Sequence, residues 1–109
     1  MGNTGGTGTV RFRIKRDYIA ELNTFLQNEV WSQTKQQWAN LCGLIDAISL
    51  DFQVDSAGRS LIVTIESQNF LKVKAAFLAS KDPFWSNLRK ELRKDLVSFS
   101  GLESEPCIL

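Results

Sequence analysis

Residues 48–66 read ISLDFQVDSAGRSLIVTIE, and this stretch decides the fold. Ile48, Leu50, Phe52 and Val54 alternate with Ser49, Asp51 and Gln53; after a gap, Leu61, Val63 and Ile65 alternate with Ile62, Thr64 and Glu66. A period of two puts each set on one side of a strand, so the two apolar sets are expected to share a buried side. Between the runs, Asp55-Ser56-Ala57-Gly58-Arg59 supplies turn chemistry, with Gly58 free to take the positive φ that side chains resist. The two runs therefore predict an antiparallel hairpin.

The same period recurs upstream. From Thr9 to Arg16, Val10, Phe12 and Ile14 alternate with Arg11, Arg13 and Lys15, which predicts a half-buried strand with a cationic outer face. Between that strand and the hairpin the period changes to three and four. Tyr18, Leu22, Phe25, Leu26, Val30, Gln33, Gln37 and Leu41 then line one amphipathic helix, capped by Asp17 and stopped by Gly43. Downstream, Ser67 is the expected cap of a helix with Phe70, Leu71, Val73, Phe77 and Leu78 as its buried stripe. Asp82 followed by Pro83 opens a last helix carrying Trp85, Leu88, Leu92, Leu96 and Phe99, which Gly101 closes.

The order β-α-β-β-α-α predicts an α+β class: a single small domain with a three-stranded sheet, containing the β-hairpin, covered on one face by helices. The other face is expected to be open. The domain is placed at residues 9–101, between a flexible glycine- and threonine-rich arm (1–8) and a tail (102–109).

Composition narrows the chemistry. With 109 residues, 43% of them hydrophobic, the chain can bury a core without disulfides or metal. Cys42 sits in an apolar helical stretch and Cys107 near the end, which does not read as a disulfide framework. No window is long and apolar enough to span a membrane, and no secretory leader is evident, so a cytoplasmic location is expected. There is no histidine, which removes the commonest general base and zinc ligand. Asp51 and Glu66 are expected near each other across the hairpin, but no nucleophile accompanies them. Neither an enzyme nor a cofactor is predicted.

Two functional readings remain, both of binding. The first is a protein-protein interaction or adaptor module of a larger complex. Trp31 and Trp38, seven residues apart on the long helix, share one side of it, with the uncharged Gln33 between them. Tryptophan is favoured at interface anchors because it covers large area with few rotors and keeps a donor. The apolar end Cys107-Ile108-Leu109 adds Leu109 as a contact for another protein. The alternative is a small nucleic-acid-binding domain for RNA or single-stranded DNA. Arg11, Arg13 and Lys15 on the first strand, spaced about 7 Å apart, would track phosphates, joined by Arg89, Lys90, Arg93 and Lys94 on the last helix. A net charge of +1 argues for neither partner.

The element order is similar to the type I KH arrangement, although the Gly-x-x-Gly backbone clamp of that family has no counterpart and Gly43 stands alone. Residues 61–74, LIVTIESQNFLKVK, are also similar in rhythm to small adaptor domains of bacterial replication proteins. Neither similarity transfers a functional residue.

Overall fold

The hairpin forms as the alternation requires. In the computed structural model, which describes residues 6–97, β2 (Ser49–Val54) and β3 (Ser60–Ser67) pair antiparallel, with Phe52 opposite Val63 and Leu50 opposite Ile65. The Asp55 carboxylate holds the turn by accepting from the backbone N–H of Arg59 (2.8 Å) and Ser60 (3.3 Å), and Gly58 has φ +74°. These donors, Arg59 first, and the nearby Arg11 guanidinium hold the Asp55 carboxyl below its ordinary pKa.

β1 (Gly6–Arg13) lies on the other side of β3, also antiparallel, giving the order β1-β3-β2. It begins earlier than the alternation suggests. Gly6, Thr7 and Gly8, expected in the arm, pair with Ser67, Glu66 and Ile65, because β3 is long enough to offer them partners. Past Arg13 the strand forms one bridge, Ile14 with Leu96, and turns into a 3-10 turn at Arg16–Tyr18. Asp17 lies inside that turn and caps nothing.

The long helix is not continuous. It comprises α1 (Ile19–Phe25), a widened π turn (Leu26–Val30) and a separate α2 (Lys35–Gly43). The break is a capping box: Thr34 accepts from the Gln37 N–H at 3.1 Å while the Gln37 side chain accepts from the Thr34 N–H at 2.9 Å. Two orphan donors at a new helix start are thereby satisfied. On the other side of the break Ser32 Oγ and Gln33 Nε2 donate to the carbonyls of Asn28 and Glu29, closing the first segment. The left-handed residue after α2 is Asp46 (φ 62°), not Gly43. In that connection Ile48, expected inward, is exposed.

α3 (Phe70–Ala79) is capped by Asn69, whose side chain accepts from the Lys72 N–H; Ser67, the expected cap, is the last residue of β3. α4 (Pro83–Asp95) starts as predicted, with the Asp82 carboxylate accepting from the N–H groups of Phe84 and Trp85. It ends sooner than expected. Leu96 is extended, bridging to Ile14, and Val97 N–H donates to the Arg13 carbonyl, so the β1 edge replaces the final helical turn. Phe99, Gly101 and Leu109 lie outside the described residues.

The result is a single α+β domain with a three-stranded antiparallel sheet and four helices. One core joins Phe12, Phe52, Leu61 and Val63 of the sheet to Leu22, Leu26, Trp85, Leu88 and Leu92 of the helices. The reverse side of the sheet carries Thr9, Arg11 and Arg13 of β1, Ser60, Ile62 and Thr64 of β3, and Ser49, Asp51 and Gln53 of β2, none of them buried. Among the described residues, no helix is long and apolar enough to cross a membrane.

Candidate functional site

The three tryptophans are the ties between layers. Trp38 Nε1 donates to the Leu50 carbonyl (2.6 Å) and Trp31 Nε1 to the Phe52 carbonyl (2.8 Å). β2 is an edge strand, and Leu50 and Phe52 occupy its register positions that turn away from β3. The two indoles therefore close an edge that would otherwise present bare carbonyls to other chains. Trp85 Nε1 donates to the Leu41 carbonyl (3.0 Å) in the last turn of α2, an end that needs donors. Cys42 is buried beside Leu50, and burial pushes its thiol up, more than the backbone hydrogen bond with Leu50 lowers it. That makes it a core residue rather than a nucleophile.

Sharing these hydrogen bonds, Trp31 and Trp38 differ in everything else. Trp38 is half-buried, ringed by Phe52, Phe84 and Trp85 at centroid distances of 6.1, 5.9 and 6.0 Å. Trp31 stands beyond the helix break and is 44% exposed. The expectation of one shared helix face does not hold, because the capping box at Thr34 separates the two residues. Gln33 is spent on closing the helix end at Glu29.

Trp31 lines a groove of about 470 Å³ with Asn23 and the β2–β3 turn, from Gln53 through Asp55 to Gly58. Its donor is already satisfied internally and its position is fixed by that bond. What it offers outward is therefore a rigid aromatic surface without an unpaired polar atom. Asp55 brings an acceptor to the same groove, shared with Arg11 at 3.2 Å.

The cations are dispersed. Arg11 and Arg13 are exposed on the uncovered face of the sheet, whereas α4 packs its leucines against the covered face. Lys15 lies past the end of β1, its ammonium 6.0 Å from the Tyr18 ring, with Lys94 5.9 Å from the same ring. Arg89 Nη1 donates to the Phe77 carbonyl at 2.7 Å, tying α4 to α3. Lys90 and Lys94 line a polar groove between α1 and α4, and Arg93 is exposed. Among the described residues the strand and helix cations thus form no single track, and no aromatic residue stands on the open sheet face to stack a base.

One cluster was not legible as such. Glu21 from α1 and Glu91 and Asp95 from α4 converge around Lys94, which binds Glu21 and reaches Glu91 at 3.3 Å. Asp95 is fully buried, and neither of its carboxyl oxygens receives a hydrogen bond. Burial, then Glu91 beside it, pushes its pKa up to about 8. The pair is satisfied when Asp95 keeps its proton and shares it with Glu91. The i,i+4 spacing of Glu91 and Asp95 was the available signal; the approach of Glu21 from another helix had none. Asp51 and Glu66, by contrast, do not pair: Asp51 stands opposite Thr64, and Glu66 opposite Ser49, whose hydroxyl donates to it at 3.3 Å.

Comparison with protein-family models, curated proteins and solved structures finds no match.

Proposed function

We propose that this chain is a non-catalytic protein-binding module, an adaptor or subunit of a larger complex, and that Trp31 is its anchor. The observation that carries this is the state of Trp31: the residue 44% exposed at a groove, its indole N–H already bonded to the Phe52 carbonyl. A side chain held in its bound position loses little entropy on contact, and an aromatic with no unpaired donor costs little to desolvate. Trp38 drops out of the binding set and into the core, and Gln33 into the helix end. A free, buried Cys42 is consistent with a reducing, cytoplasmic setting.

The nucleic-acid reading is weaker because the cations do not converge and several already serve intramolecular contacts. The test compares the wild-type chain with Trp31→Ala in affinity purification from native extract, with and without nuclease. A co-purifying protein that resists nuclease and is lost from the variant is the expected result. The variant's urea transition should fall by only about 1–2 kcal/mol. Retention of every partner by Trp31→Ala, or partners that vanish on digestion, would overturn this reading.

A further inference from the structure

Beneath α3 lies an apolar cleft of about 70 Å³. Its floor is the inner face of all three strands, including Phe12, Phe52 and Val63, and its wall is Val73 and Phe77 of α3. Twelve residues line it, eleven apolar and one charged, Lys74. The volume excludes a cofactor or a drug-sized ligand, which needs about 300 Å³ or more, but exceeds the ~10–15 Å³ that one water requires. It is the scale of one aliphatic side chain. With no polar lining except Lys74, the cleft gains nothing from holding water.

The helix over it is unusual. Eight of the ten residues of α3 are apolar, yet only Val73 is buried and Leu71 is 52% exposed. Phe70, Val73 and Phe77 lie on the inner side, while Leu71, Ala75 and Leu78 recur on the outer side at helical spacing. A helix apolar on both sides is normally covered on both.

Charge says what kind of cover. From Ser67 to Lys81 there is no acidic residue and there are three lysines, Lys72, Lys74 and Lys81. None of the three has an ion-pair partner among the described residues. We propose that the α3 surface binds an acidic peptide, inserting one aliphatic side chain into the cleft while a carboxylate pairs with Lys74 at its rim and Lys72, on the outer side of the helix, adds longer-range attraction. This is a second surface, distinct from the Trp31 groove at the other end of β3.

The test titrates the full chain into a short fluorescein-labelled peptide of Asp and Glu with one central Leu, read by polarisation. Two control peptides replace the Leu by Ser or every acid by Gln. Saturable binding weakened about tenfold or more by either replacement is expected. Lys74→Glu, at the rim of the cleft, should weaken it similarly with the thermal transition preserved, Lys72→Glu, on the outer side of α3, should weaken it less, and Trp31→Ala should leave it unchanged. Val73→Phe, which fills the cleft, should abolish the preference for Leu over Ser. No saturable binding at millimolar peptide, equal binding of the Leu and Ser peptides, or indifference to Lys74→Glu overturns the proposal. So does displacement of the peptide by an oligonucleotide regardless of sequence, which would make the site a general anion surface.

Discussion

α3 and α4 follow each other with three residues between them, and the more apolar helix is the less buried. α4 carries six charged residues in thirteen, but Trp85, Leu88 and Leu92 recur on one side and are buried. α3 carries two charges in ten and buries one residue. Periodicity, not total hydrophobicity, decides which helix joins a core: a stripe can face a sheet completely, whereas apolar residues all round cannot face it at once. α4 is the structural helix of the pair, and α3 keeps apolar surface to spare.

The largest effect that would test this contrast is at Trp85. It is fully buried, stacks edge-to-face on Phe84 (4.9 Å) and Phe77 (5.8 Å), and donates to the Leu41 carbonyl. Trp85→Ala should cost about 3–5 kcal/mol in urea unfolding, a large share of the ~5–15 kcal/mol that a domain of this kind has. A loss below about 1 kcal/mol would mean that α4 does not anchor the fold, and the contrast with α3 would collapse.

A smaller effect tests the far end of the same helix. Asp95, raised to about 8 by burial and by Glu91, holds a proton in the folded chain that the unfolded chain releases near pH 4. Between those values the folded state binds more protons, so stability is full below about pH 4 and declines as pH rises through about 8. Asp95→Asn keeps a neutral donor toward Glu91 at every pH. It should flatten this decline and gain about 1–3 kcal/mol relative to wild type at pH 9, with little change at pH 5. Urea unfolding at the two pH values measures it; an equal effect at both would show that Asp95 does not titrate in this window.

What could be read in advance follows the same division. The hairpin, the alternation of the first strand and the Asp82–Pro83 helix start are local patterns, each complete within a few residues, and the fold class follows from them, although the pairing of β1 with β3 is long-range. The helix break was equally local, since Thr34-Lys35-Gln36-Gln37 is a capping-box signature, but the apolar spacing on either side of it happens to run on in phase. The early end of α4 was not local. Leu96 leaves the helix because the β1 edge at Ile14 offers it an extended partner, more than eighty residues away in sequence. The roles of the tryptophans were hidden for the same reason. Trp31 and Trp38 look alike in sequence and both donate to the β2 edge, and only the approach of Phe84 and Trp85 from α4 makes Trp38 a core residue while Trp31 stays exposed.

The smallest effect is the most specific to α3. Leu71 is among the most exposed large apolar residues described, so its removal takes little from the core. Leu71→Ser should change stability by less than about 0.5 kcal/mol, the range of surface substitutions, whereas a core leucine such as Leu88 truncated to Ala costs about 2–5 kcal/mol. If the apolar outer side of α3 is kept for contact, the same Leu71→Ser should weaken capture of the acidic leucine peptide. A substitution nearly silent in urea and visible in polarisation separates surface reserved for a partner from surface that supports the fold. If Leu71→Ser instead destabilised the chain as a core truncation does, α3 would be packed on both sides in solution and no surface would be left for a peptide.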